Sequence, residues 1–189
     1  PNVLVIMLDD GGYSSATSYG GVMKTPTFDR LGDEGIRYTH MSVNAVCSPT
    51  RGSLLTGYNM HEIGTGIISE FATGYPGYNS QIDYTTPSIA KILTDNGYAT
   101  AAFGKWHNTP MEEASPAGPF ESWPTGIWGF EYFWGFLGGE TNQFHPLLYE
   151  NTSAIETPET NADGTPFHLS QGMADQAIKW LDNWKGLRD

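Results

Sequence analysis

Apolar positions along the chain fall in short runs punctuated by glycine, proline and small polar residues, and two periods alternate. Val3 to Leu8 is an unbroken run of six apolar residues ending at Asp9-Asp10-Gly11-Gly12. A short β-rich run closed by glycine predicts a strand buried on both faces, as in a parallel sheet. Thr25-Pro26 supplies an N-cap and a first-turn proline. Phe28 and Leu31 follow at helical spacing, with Gly32 or Gly35 closing the helix. Ile36 to Val43 alternates and predicts a second strand. Ser48-Pro49 opens a helix through Leu54-Leu55, with Gly57 as its C′ residue.

Gly64 to Tyr84 is rich in Gly, Tyr, Ser and Thr, lacks a period, and reads as surface loop. Pro87 to Asn96 predicts a helix with Ile89, Ile92 and Leu93 on one face, and Tyr98 to Phe103 a strand running into Gly104. Between Phe120 and Phe136 there are 8 aromatics in 17 residues, interleaved with glycine. Without basic partners this is a packed loop layer near a ligand pocket rather than a base-stacking platform. Ser170 caps a last amphipathic helix bearing Ala174, Ala177, Ile178, Leu181 and Trp184, with Gly186 after it. The β–α–β alternation predicts an α/β fold, a mostly parallel sheet flanked by helices.

Composition narrows the functional classes. The 189 residues suit one domain or a piece of one. With 39% hydrophobic and 13% aromatic residues a sizeable core is expected. Twenty-one acidic against nine basic side chains give a net charge of −12, which argues against a nucleic-acid partner. One cysteine excludes an intrachain disulfide and multi-cysteine metal sites. No apolar run approaches the roughly 18–20 residues of a membrane span. With no basic, apolar leader before Pro1, no uncleaved signal peptide is expected, which leaves bacterial cytoplasm and periplasm both open.

Three places carry chemistry. Asp9 and Asp10 lie where the first predicted strand ends, at the edge where α/β proteins bind ligands, and adjacent carboxylates suit a hard divalent cation. Cys47 precedes a helix whose first-turn N–H groups favour an anion, and Arg51 adds a cation one turn on. Only three residues separate Cys47 from Arg51, whereas the phosphate cradle of a thiolate phosphatase has five. Gly104-Lys105 is followed by Trp106 and has six residues back to Gly97, so it is not a nucleotide phosphate loop. His40, His61, His145 and His168 have no comparable context, and the Asn151-Thr152-Ser153 acceptor tripeptide carries no weight on its own.

The stretch Ala45-Val46-Cys47-Ser48-Pro49-Thr50-Arg51-Gly52-Ser53-Leu54-Leu55-Thr56-Gly57 resembles the first signature of the sulfatase family. Pro1-Asn2-Val3 through Asp9-Asp10 resembles that family's first strand and metal doublet. Gly97-Tyr98-Ala99-Thr100-Ala101-Ala102-Phe103-Gly104-Lys105-Trp106-His107 resembles its second signature, with a bulkier Phe103. Thr73-Gly74-Tyr75-Pro76-Gly77-Tyr78 and Gly135-Phe136-Leu137-Gly138-Gly139-Glu140-Thr141 are similar to the large bacterial arylsulfatases.

The resemblance implies a sulfatase or alkaline-phosphatase-like fold. Residues 1–189 would be the N-terminal part of its catalytic domain, incomplete at the C-terminal end, with an aromatic and glycine-rich loop region over 108–168. It implies that a formylglycine-generating enzyme converts Cys47 to Cα-formylglycine, whose hydrated aldehyde attacks a small sulfate ester. Asp9, Asp10 and the group at Cys47 would hold Ca2+, or Mg2+. Arg51 and Lys105 would meet charge on the sulfate oxygens, and His107 would accept a proton. The family's second histidine, its Asp-Asn pair and its second lysine have no counterpart here, so catalysis is expected to require C-terminal residues that this chain lacks, and a further parallel strand is expected after the last helix. Two other readings stand beside this one: a phosphonate or phosphate ester hydrolase of the same superfamily, and a silent anion-binding fragment.

Overall fold

The computed structural model describes residues 1–186. The chain divides into two compact units, residues 1–44 and residues from Ala45 onward.

The first unit has one α-helix, α1 (Pro26–Glu34), and a 3-10 turn at Thr17–Tyr19. Pro26 occupies the first helical turn as expected, but the Thr25 hydroxyl does not cap the helix. It accepts from the Thr17 N–H at 3.0 Å instead. The Thr17 hydroxyl donates to the Asp29 carboxylate at 2.7 Å, so the polar residues at the helix start tie the preceding loop down. Neither predicted strand forms: residues 3–8 and 36–43 carry no strand, and Leu4 is 84% and Ile36 77% exposed. A strand exists only as part of a ladder, and none of the described strands pairs with either run.

The second unit is built on a four-stranded sheet with order β1-β2-β3-β4: β1 (Ala101–Lys105), β2 (Tyr132–Phe136), β3 (Leu148–Glu150) and β4 (Ser153–Ile155). β1 and β2 are parallel, whereas β2–β3 and β3–β4 are antiparallel. The fold is α/β as expected, with a mixed sheet in place of a mostly parallel one. Residues 108–168 hold three of the four strands as well as loops. Helices α2 (Cys47–Thr56), α3 (Ile89–Asp95) and α4 (Leu169–Gly186) complete the unit. α2 starts one residue earlier than predicted, so Cys47 is its first residue. It ends at Gly57, whose φ of 76° lets its N–H reach the Ser53 carbonyl at 2.8 Å. α3 is capped by the Ser88 hydroxyl, which accepts from the Lys91 N–H.

Side chains of β2 alternate between two cores, as a pleated strand requires. Phe133 packs with Trp106, Trp123, Trp128 and Tyr149 on one face. Trp134 and Phe136 pack with Leu148, Phe167 and Leu169 on the other. The aromatic stretch is therefore largely core. α4 covers the second face with Leu169, Gly172, Met173 and Trp180, while Ala174, Ile178 and Leu181 of the predicted apolar face are exposed. The place after α4 where a further strand is expected lies outside the described residues.

Candidate functional site

Within the second unit, three segments far apart in sequence meet at the C-terminal end of β1. The first is α2, whose opening residue is the half-buried Cys47, the chain's sole cysteine and not in a disulfide. One turn on, the Arg51 guanidinium donates from Nη1 to the Lys105 carbonyl at 2.7 Å. The signature helix and the signature strand are thereby tied, with Cys47, Arg51, Lys105 and His107 in one packed unit.

The second segment leaves β1. Trp106 and His107 continue the pairing beyond the strand, their N–H groups donating to the Phe136 and Leu137 carbonyls at 3.0 and 2.9 Å. His107 has a φ of 62°, a conformation rare for a residue with a side chain. Its ring is 2% exposed.

The third segment lies in the stretch read from sequence as surface loop. Residues Ser69–Phe71 form a 3-10 turn, and Ser69 is buried. The Ser69 N–H donates to the Ser48 hydroxyl at 3.3 Å, linking this turn to the residue after Cys47. Glu70 Oε2 lies 2.6 Å from His107 Nε2, and Glu70 Oε1 accepts the Gly139 N–H at 3.1 Å. A Cβ at Gly139 would lie 2.7 Å from His107 Cε1, so only glycine lets that backbone approach the ring.

The electrostatics follow from this packing. Burial pushes the His107 imidazolium below its ordinary 6.5; the Glu70 hydrogen bond and charge oppose this, and the Lys105 and Arg51 charges reinforce it. Burial alone would raise the Glu70 carboxyl. The hydrogen bond from His107, backbone N–H donors including Gly139, and the His107 charge outweigh it and hold the group below 4.5. At neutral pH the pair is an ionised carboxylate on a neutral imidazole.

Asp9 and Asp10 belong to the first unit, where both are exposed and Asp10 has a φ of 53°. Calcium takes six to eight oxygens. Among the described residues no group of three His, Cys, Asp or Glu side chains converges as a metal site. The doublet by itself does not make a calcium shell. Cys47 stands at a helix start that Arg51 ties to the Lys105 strand end and Ser48 ties to the Ser69 turn. His61 stacks edge-on against Tyr78 and His168 against Phe144.

Glu70 and Gly139 are the site residues that sequence reading missed. The one local signal was a carboxylate directly after Ile67-Ile68-Ser69 and before Phe71, an apolar setting inside an otherwise polar loop.

A family model described as "Sulfatase" matches residues 1–186. The chain is 30% identical, over 96% of its length, to an arylsulfatase of Klebsiella aerogenes, of which it covers 39%. It is 35% identical, over 97% of its length, to an N-acetylglucosamine-6-O-sulfatase of Bacteroides thetaiotaomicron, of which it covers 28%. The crystal structure of Ps i-CgsB superposes on 93% of the chain with a TM-score of 0.74 at 25% identity, and the chain covers 40% of it. The chain thus spans two fifths or less of each of these proteins.

Proposed function

The chain belongs to the sulfatase family, and from that premise we propose that it serves hydrolysis of sulfate esters, an aryl sulfate and water giving a phenol and sulfate. The observation that carries this reading is the tie between the two signatures. Arg51, one turn past Cys47, grips the carbonyl of Lys105, whose strand leads into the buried His107.

Carried as Cα-formylglycine, position 47 would supply a hydrated aldehyde: one hydroxyl would displace the phenol from the ester sulfur, and loss of the second hydroxyl's proton would expel sulfate and restore the aldehyde. Arg51 and Lys105 bind the sulfate oxygens and meet the charge that develops on them, the kind of fixed stabilisation that is often the largest catalytic contribution. A chain of net charge −12 repels an anion at long range, so substrate capture depends on these local cations. His107, neutral at pH 7, accepts a proton from a hydroxyl at position 47. A thiol in its place has no second hydroxyl to give up that proton.

Asp9 and Asp10 are assigned as this chain's contribution to a divalent cation, calcium or magnesium, and no step above depends on it. The maturation partner is assigned from the Cys47-Ser48-Pro49-Thr50-Arg51 motif. Ser48 and Pro49 are buried within α2, so a modifying enzyme reaches the motif only before that helix packs.

The test is hydrolysis of paired aryl sulfate and aryl phosphate esters by protein co-expressed with a formylglycine-generating enzyme. Sulfate ester cleavage that Cys47→Ala abolishes is the expected result. Faster cleavage of the phosphate ester would favour the phosphohydrolase reading, and sulfate binding without cleavage would favour a silent fragment.

A further inference from the structure

We propose that Glu70 is a positioning residue for His107: its carboxylate accepts the Nε2–H of the imidazole, fixes that tautomer, and leaves the Nδ1 lone pair as the proton-accepting atom of the site. The inference deepens the sulfatase reading and rests on it for the role of His107.

The geometry supplies each step. Glu70 Oε2 stands 2.6 Å from Nε2, while Oε1 is held by the Gly139 N–H at 3.1 Å and the Ser69 hydroxyl donates to Oε2 at 3.3 Å. Both oxygens are thus occupied, and the carboxylate cannot swing away without breaking contacts to two other segments. An ionised carboxylate only accepts, so the hydrogen between it and Nε2 belongs to the imidazole. In the neutral ring the other nitrogen, Nδ1, then carries a lone pair. Nδ1 is buried and has no hydrogen-bond partner among the described residues. A proton on Nδ1 would be a buried donor with nothing to receive it, and with Nε2–H given to Glu70 the Nδ1 lone pair is the ring's remaining acceptor.

The ring has little freedom to exchange its edges. Gly139 backbone abuts its Cε1–Nε2 edge, and the backbone N–H of His107 is held by the Leu137 carbonyl. The charged groups facing it are Glu70, Lys105 and Arg51. The turn that presents Glu70 is linked through Ser69 to Ser48, the residue after Cys47 on the nucleophile helix.

Two-bond nitrogen–proton correlation spectra of histidine-labelled protein read which ring nitrogen bears the proton. The wild-type chain is expected to show His107 as the Nε2–H tautomer at neutral pH. Glu70→Ala is expected to mix the tautomers. Glu70→Gln, which keeps the shape and an accepting oxygen, is expected to retain Nε2–H but to lower the titration midpoint of His107, because the carboxylate's charge is gone. In matured protein Glu70→Gln is expected to lower kcat roughly 10- to 100-fold, the cost seen when a partner that orients a metal-ligating histidine is removed. KM should change little, the acidic limb of the pH profile should move down, and Glu70→Asp should regain part of the rate. Should Glu70→Ala fail to fold, Glu70→Gln carries the test alone. An Nδ1–H tautomer in the wild type, or a His107 titration that Glu70→Gln leaves unmoved, overturns the proposal. The spectra do not depend on turnover. The expected tautomer without sulfate ester cleavage would therefore sink the proposed function and leave the positioning role standing.

Discussion

Val3–Leu8, read from sequence as a strand, and β2, which lies in a stretch read as loop, are two apolar segments that end up in opposite circumstances. Phe133, Trp134 and Phe136 of β2 are 1–7% exposed, whereas Val3, Leu4, Val5, Ile6 and Leu8 are 53–84% exposed and form no strand. Hydrophobicity does not separate them. Partners do: β2 is paired on both edges, by β1 and β3, and is covered on both faces by aromatic and aliphatic clusters. An apolar run states what a segment would gain by burial; the neighbours that satisfy its N–H and C=O groups decide whether it becomes a strand.

The largest effect that should sharpen this contrast is Phe133→Ala. Emptying a fully buried aromatic site costs about 3–5 kcal/mol, read as a shift in the urea unfolding free energy. A loss below about 1 kcal/mol would mean that the core around β2 is loosely packed. Next is Gly135→Ala, where a Cβ would lie 1.9 Å from the Gly104 carbonyl oxygen across the β1–β2 pair. A destabilisation of about 1–3 kcal/mol is expected from this overpacking. Because the clash sits one residue before the end of β2, loss of the Trp106 and His107 pairing should accompany it, visible as faster amide exchange.

Tyr132→Phe comes third. The Tyr132 hydroxyl donates to Glu150 at 2.6 Å and accepts from Gln176 of α4. Burial, with the Glu150 hydrogen bond, pushes its own ionisation up to about 12. Its removal should cost about 1–2 kcal/mol by leaving those partners unmatched.

A smaller change follows from pH. His107 sits below 6.5 in the folded chain, so the unfolded chain binds its proton first and stability falls as pH drops through 6.5 toward the native value. Glu70, held below 4.5, adds stability that is present above 4.5 and is lost as pH falls through its native value. The urea midpoint should therefore decline on acidification from neutrality. His107→Gln should flatten the part nearest pH 6.5; an unchanged slope there would contradict the assignment. The smallest effect belongs to the other arm of the comparison. Leu4→Ser should change the stability of this chain by less than about 0.5 kcal/mol, as expected of an exposed position. A loss comparable to that of Phe133→Ala would show Val3–Leu8 to be a buried strand after all.

What could be read from the sequence follows the same division. Contacts local in sequence were legible: Gly57 ending α2, Ser48-Pro49 in its first turn, and the run into Gly104-Lys105 that becomes β1. Cys47, Arg51, Lys105 and His107 were singled out through the resemblance of two short stretches to family signatures, and the fold brings those two stretches together. Contacts that join distant segments were not. Glu70 reaches His107 across 37 residues, and its apolar setting between Ile68 and Phe71 does not say which partner it meets. The buried face of α4 was misplaced because Gly172, lying against the Phe167 ring, counts as apolar contact only once the ring is there. The Thr25 hydroxyl was expected at a helix cap and is instead engaged by Thr17.

The central claim is that this chain is built around a modified residue 47, with Arg51, Lys105 and His107 arranged to use it. A peptide mass spectrum across Cys47 tests this most directly. Protein co-expressed with a formylglycine-generating enzyme should yield the peptide Val46–Arg51 with an aldehyde at position 47. Only unmodified cysteine there, in cells where a control substrate of the same enzyme is converted, would contradict it.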